Sequence, residues 1–170
     1  METLRIILRT IHIISGTFWV GAAIFITLFL EPTVRSAGEV GGRFMERLVT
    51  ETPFMKYMVL SSLLTVITGV TLYGLDSRLT LSWIMTREGV IFTIGSVAGL
   101  VAYVTGQFVI APTAQRIGAL GHEMAMAGGP PSSLQINEMT SLQGRAIRFG
   151  RLELVLMVIS VAGMAGARLF

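Results

Sequence analysis

The chain has 170 residues, of which 52% are hydrophobic and only 14% are charged. Soluble domains average roughly 25% charged residues, so this composition indicates a single integral membrane domain rather than a soluble globule. The absence of cysteine excludes disulfides and thiolate metal sites, and the net charge of +3, without a basic run interleaved with aromatics, excludes nucleic-acid binding.

Four apolar segments predict four membrane-spanning helices, at about residues 4–30, 54–75, 84–111 and 134–168. Three uncharged stretches lie at their centres: Ile11–Leu30, Tyr57–Leu75 and Gly89–Gln115. A helix rises about 1.5 Å per residue and the hydrocarbon is about 30 Å thick, so about 20 apolar residues make one crossing. The sequence therefore predicts an all-α, four-transmembrane-helix bundle in contact with the lipid bilayer.

The first predicted helix is a retained span, because its apolar run exceeds the roughly 7–15 residues of a cleavable signal sequence. Pro32 is predicted to stop it. Beyond that proline, Val40, Phe44 and Leu48 recur every four residues, which predicts a short amphipathic helix at the membrane surface. Pro53 suits the first turn of the second span.

The third and fourth spans are predicted to extend beyond the membrane. Pro112 either kinks the third helix or ends its apolar part, and the segment 117–124 can continue it along the surface. The helix-breaking segment Gly128-Gly129-Pro130-Pro131 separates this continuation from a fourth helix that Ser132 or Ser133 can cap. Residues 134–168 as one helix would be about 50 Å long. Its polar first third therefore projects on one side, beside the extension of the third helix.

Four spans put both termini and the 76–88 turn on the same side of the membrane. That side carries five basic residues: Arg5, Arg9, Arg78, Arg87 and Arg168. The other side carries eight: Arg35, Arg43, Arg47, Lys56, Arg116, Arg145, Arg148 and Arg151. The excess of basic residues predicts that the larger loops are cytoplasmic and both termini external, in a bacterial-type plasma membrane.

Small residues form a stripe on one face of the third span: Gly95, Gly99, Ala102 and Gly106. Such a stripe lets two helices approach closely, and it is also compatible with space for a flat cofactor. The sequence shows no obvious internal repeat.

His12 is the only histidine inside a predicted span. It lies one turn after Arg9, and Gly16 and Trp19 follow on roughly the same helical face. A neutral imidazole there can ligate haem iron or copper, with Gly16 leaving room for the macrocycle. The alternative is an interhelical hydrogen bond.

A haem on His12 needs further contacts. His122 is predicted on the opposite side of the membrane and cannot bind the same iron. The sixth ligand could be Met164 on the fourth span, a second His12 in a homo-oligomer, or none. Arg9 and Arg168 are placed to meet the propionates or to anchor the helices at the interface.

Two other groups of polar residues could carry chemistry. In the segment after the third span, His122 and Met126 share a helical face and suit copper(I). Glu153, with Arg148 and Arg151, is predicted at the point where the fourth helix enters the membrane, as part of interfacial ion pairs.

Short motifs connect the chain with a known group of membrane proteins. At Leu4-Arg5, His12 and Trp19-Val20-Gly21, followed by Glu31-Pro32, the chain resembles copper-resistance protein D-like proteins. Looser relatives are uncharacterised four-helix predicted integral membrane proteins and membrane-type protoporphyrinogen oxidases. Similar motifs continue at Thr52-Pro53-Phe54-Met55, Thr68-Gly69-Val70 and Met164-Ala165-Gly166-Ala167-Arg168. The resemblance implies a four-helix bundle in which His12 contacts haem b or copper, and the uncharacterised four-helix group fits best.

These observations predict a small integral membrane protein that binds b-type haem or serves as a redox accessory subunit. The alternative is a non-catalytic membrane transport or scaffold component that handles copper. A purely structural membrane subunit is a third interpretation.

Overall fold

The computed structural model describes residues 2–169, apart from the side chain of Arg168, and this part of the chain is helical and contains no strand. Its elements are α1 (Glu2–Phe25), a π-helical turn (Ile26–Leu30), α2 (Glu31–Ser36), α3 (Gly38–Thr50), α4 (Phe54–Ser77), α5 (Leu81–Ile84), α6 (Arg87–Thr105), a second π-helical turn (Gly106–Ile110), α7 (Ala111–Met126), α8 (Ser133–Gly166) and a 3-10 turn (Ala167–Leu169).

Within the described residues, four continuous helices are long and apolar enough to cross a membrane. They are Glu2–Ser36, Phe54–Ser77, Arg87–Met126 and Ser133–Gly166, and are called the first to fourth long helices below. The prediction of an all-α chain with four apolar helices is confirmed. These helices are compatible with a multi-pass membrane protein.

The four long helices associate as two hairpins. The first hairpin pairs α1 with α4 and the second pairs α6 with α8, and the contacts between the hairpins are sparser than those within them. The predicted glycine stripe lies inside the second hairpin. A β-carbon on Gly95 would be 3.0 Å from the Ser160 carbonyl oxygen, and one on Gly99 would be 2.8 Å from the Ser160 hydroxyl. The backbone and side chains of α8 therefore fill the space along this stripe.

Pro32 does not stop the first long helix, contrary to the prediction. The helix passes into the π turn Ile26–Leu30 and continues to Ser36, six residues past the predicted end at residue 30. Pro32 has no N–H and its ring would collide with the carbonyl four residues earlier. In the π turn the N–H of Glu31 reaches back five residues to the carbonyl of Ile26, and the wider turn makes room for the proline.

The third long helix repeats this arrangement. The N–H of Ala111 bonds the carbonyl of Gly106, five residues back, and Pro112 follows at the second position of α7. In each helix the proline is followed by a threonine: Thr33 donates its hydroxyl hydrogen to the carbonyl of Phe29, as Thr113 does to the carbonyl of Val109. A π–Pro–Thr motif thus recurs 80 positions apart, a local repeat that the sequence analysis missed.

Both ends of the described chain lie beside the turn between the two hairpins. Arg5 and Arg9 contact Asp76 at 3.1 Å and 3.2 Å, just before that turn. The 3-10 turn Ala167–Leu169 contacts α6. Both ends of the described chain and the 76–88 turn therefore lie at the same end of the bundle.

Helical extensions cover the opposite end of the bundle. Arg116 on α7 donates to Glu138 on α8 at 2.8 Å and to Glu123 at 2.9 Å, so the extensions of the third and fourth long helices pack together as predicted. A capping box formed by Ser132 and Gln135 starts α8. The predicted amphipathic helix is α3, and its apolar residue Val40 is 75% exposed.

Candidate functional site

His12 faces the second long helix, within the first hairpin. Its Nδ1 lies 2.9 Å from the carbonyl oxygen of Thr65 and 3.2 Å from the hydroxyl of Thr68. The edge of the ring lies against Gly69, where a β-carbon would be 2.8 Å from His12 Cε1. A carbonyl oxygen can only accept, so Nδ1 carries the hydrogen and Nε2 retains its lone pair. The side chain is half-buried.

Gly16 and Trp19 follow His12 along the same face but serve different contacts. The α-carbon of Gly16 faces Thr65, whose methyl carbon would be 3.5 Å from a β-carbon at that position. The space that the sequence analysis reserved for a macrocycle is therefore occupied by α4. Trp19 is 5% exposed and lies in the bundle core with Ala102 and Met157.

Met164 lies at a different interface from His12. Its backbone nitrogen faces Gly95 of α6, inside the second hairpin, whereas the His12 ring packs on α4 of the first hairpin. Arg9 donates a hydrogen bond to Asp76. The side chain of Arg168 lies outside the described residues. The predicted ligand and propionate contacts are therefore not gathered around His12 in this arrangement.

A cavity of about 300 Å³ opens at the end of the bundle nearest His12. Three guanidinium groups and two carboxyl groups line it, together with Trp83: Arg5, Arg9, Arg78, Asp76 and Glu88. Trp83 meets Tyr73 and Phe92 edge-to-face, and the rings of Tyr73 and Phe92 stack with centroids 5.9 Å apart.

The candidate copper residues lie on α7 at the other end of the molecule. His122 is one turn from Met126, as predicted, but its ring approaches the Glu46 carboxylate of α3 at 3.7 Å. Met126 is 74% exposed. Throughout residues 2–169, no three side chains of His, Cys, Asp or Glu come together in a group that could hold a metal ion.

Glu153 is buried inside the bundle, although the sequence analysis placed it in ion pairs at the membrane surface. It is 7% exposed. Among the side chains that the structure describes, no Lys, Arg or His lies within ion-pairing distance of its carboxyl group. The Trp19 side chain approaches it, and an indole N–H can only donate.

The first residue of the second π turn makes room for this carboxyl group. A β-carbon on Gly106 would lie 2.8 Å from Glu153 Oε1. Three residues earlier on α8, Gly150 lies opposite Thr27 of the first π turn. Because α8 runs antiparallel to the first long helix, Glu153 lies about one turn deeper in the bundle than Thr27. It is therefore at the depth of the apolar stretch Ile11–Leu30 of that helix.

A polar hydrogen bond joins the two hairpins in the same part of the bundle. The Gln107 amide of the second π turn donates to the buried Ser62 hydroxyl of α4 at 3.0 Å. Glu153 therefore lies in a zone where both hairpins and the second π turn contribute polar groups.

Comparison of the chain with protein-family models, curated proteins and solved structures found no match.

Proposed function

We propose that this chain is a multi-pass membrane protein that binds one b-type haem through His12 and acts as an accessory subunit in membrane electron transfer. The observation that supports it is the contact between His12 Nδ1 and the Thr65 carbonyl. Haem-ligating and metal-ligating histidines commonly donate one ring N–H to a backbone carbonyl, which fixes the tautomer and leaves the other nitrogen for the metal. The His12 side chain is half-buried rather than enclosed.

The donor chemistry at His12 fits a single axial ligand. When bound, haem b supplies one-electron transfer, and its potential depends on the axial ligand and on burial. The Thr65 carbonyl orients the imidazole and raises its basicity. Because Met164 belongs to the other hairpin, His12 is the only protein ligand that we assign within one chain.

The cavity lined by Arg5 and Arg9 lies about one helical turn beyond His12. Its guanidinium groups are suited to carboxylates such as propionates. Two of them are already bound to Asp76, so a bound carboxylate would share these cations with an existing partner. In this proposal both termini are external, following the distribution of basic residues.

Absorption spectroscopy of the protein purified from haem-supplemented cells tests the proposal. We expect a Soret band that His12→Ala abolishes and His122→Ala leaves intact. Met164→Leu should also leave the band unchanged. A colourless wild-type protein would contradict the proposal. If that protein contained stoichiometric copper that is lost in the His122→Ala, Met126→Ala double variant, it would instead support the copper-handling alternative.

A further inference from the structure

The enclosed carboxyl group of Glu153 is not used by the haem proposal. Moving a carboxylate out of water into an apolar interior costs several kcal/mol unless its charge is compensated. In soluble and membrane proteins alike, such groups pair with a cation, bind a metal ion or bind a proton. Among the described side chains the pairing cation is missing at Glu153.

Oxygen ligands for a metal cation are also scarce. Calcium sites take about 6–8 oxygens, commonly with several carboxylates, whereas among the described residues Glu153 belongs to no group of three His, Cys, Asp or Glu side chains that could hold a metal ion. Its identified neighbours are the Trp19 indole and the α-carbon of Gly106. An indole offers a donor and no acceptor. This chemistry favours a proton over a metal ion.

The surroundings offer a partner for each protonation state. When Glu153 is charged, the neighbouring Trp19 indole N–H can donate to it. When it is neutral, its own O–H needs an acceptor. A backbone carbonyl without its usual donor lies one residue from Gly106: in the five-residue register of the π turn, the donor to the Gln107 carbonyl would be the N–H of Pro112, which proline lacks. Such π turns occur frequently at functional sites.

We propose that Glu153 is a proton-binding site between the two hairpins, with Trp19 serving its charged form and the π turn Gly106–Ile110 serving its neutral form. The proton comes from water at the end of the bundle that carries the α3, α7 and α8 extensions, because Glu153, about one turn deeper than Thr27, lies nearer to that end of the apolar stretch Ile11–Leu30 than to the other. Uptake converts the carboxylate to the acid and shifts the hydrogen bond from the indole to the backbone carbonyl. The proposal is independent of haem binding.

The other titratable and polar groups around Glu153 lie on α1, α4, α6, α8 and the second π turn. Tyr103 on α6 packs edge-to-face on Trp19, with ring centroids 6.3 Å apart. Arg148 and Arg151 on α8 itself are exposed. His12 lies two turns before Trp19 on α1. The second π turn and α4 contribute the uncharged Gln107 and Ser62.

Trp19 is itself a probe of the proposed proton. The chain contains two tryptophans, so Trp83→Phe leaves Trp19 as the only indole fluorophore. We expect its emission in detergent micelles to follow a sigmoidal transition between about pH 4 and about pH 8.5, a range that stops short of phenol ionisation. The transition should vanish when Glu153→Gln is added. It should persist when the exposed Glu88→Gln or His12→Ala is added instead.

Three results would overturn the proposal: flat emission across this range in folded Trp83→Phe protein, a transition that survives Glu153→Gln, or a midpoint that moves with sodium concentration at constant ionic strength. The last would identify a metal-cation site. If Glu153→Gln does not fold, Glu153→Asp keeps the carboxyl group but withdraws it by one methylene. The transition should then remain with reduced amplitude, and an unchanged amplitude would contradict the contact with Trp19.

Discussion

Gly163 of α8 and Gly95 of α6 lie so close that a β-carbon on Gly163 would be 2.9 Å from the Gly95 α-carbon. Lipid tails are as apolar as the side chains they surround, so helix association in a membrane depends on close contact rather than on the hydrophobic effect. The second hairpin is therefore held together by a contact that no larger residue can make.

Gly163→Ala should destabilise the second hairpin. The added methyl group meets backbone atoms of α6, which cannot move aside without separating the helices, and overpacking of this kind costs about 1–3 kcal/mol. Thermal unfolding in one detergent would measure the loss. Gly144→Ala is the matched control on α8, because nothing lies within 4 Å of its β-carbon position. Equal stability of the two variants would show that the close contact is unimportant.

Gly69→Ala should displace the His12 ring. Its β-carbon would lie 2.8 Å from Cε1, so the imidazole must turn away from the Thr65 carbonyl and lose the bond that fixes its tautomer. If His12 binds haem, we expect the Soret band to shift or weaken. On the same helix, Gly74→Ala has nothing within 4 Å and should leave the spectrum unchanged. A spectrum insensitive to Gly69→Ala would argue against the role of Thr65 in orienting the ligand.

Asp76→Asn should have a small effect that depends on salt. The Asp76 carboxylate contacts both Arg5 and Arg9, but these arginine side chains are 39% and 41% exposed. Exposed pairs contribute about 0–1 kcal/mol each, and salt screens them. The difference in melting temperature between wild type and variant should shrink as salt is raised. A large loss that salt does not change would instead indicate that Asp76 is part of a desolvated site.

Pro112→Ala should destabilise the bundle although it restores a hydrogen-bond donor. With that N–H present, the third long helix can close in α-helical register, which turns the preceding residues by about 100° relative to α7. Gly106 would then rotate away from Glu153. We expect a loss of about 1–3 kcal/mol from the disturbed packing and altered Trp19 emission in the Trp83→Phe background. Pro130→Ala, in the loop before α8, should neither destabilise the bundle nor alter Trp19 emission.

Much of the architecture follows from sequence patterns whose physical cause is local. Apolar runs of bilayer length predict the four long helices, and the serine at 132 predicts the start of α8 because its hydroxyl satisfies a free N–H. The glycine stripe on α6 predicts a close helix contact. Helix direction alone places both termini beside the 76–88 turn.

Sequence patterns do not show which helix faces which. The burial of Glu153 and the direction of the His12 ring both depend on that. Arg151, two residues before Glu153, made the carboxyl group look interfacial, whereas only the packing of α8 against Gly106 reveals its burial. The direction of the His12 ring depends in the same way on Gly69. The π–Pro–Thr repeat was visible as Pro32-Thr33 and Pro112-Thr113, but a two-residue match carries no weight until the paired hydrogen bonds are seen.

The pairing of α1 with α4 and of α6 with α8 leaves an interface between the two hairpins, called the seam here, that runs along the bundle. Trp19 and Ala23 of the first hairpin pack across it against Ala102 and Met157 of the second. Glu153 sits on that seam, with Trp19 reaching across to it. Separating the two hairpins would therefore expose this carboxyl group to water, and stabilising its charge would favour the separated arrangement.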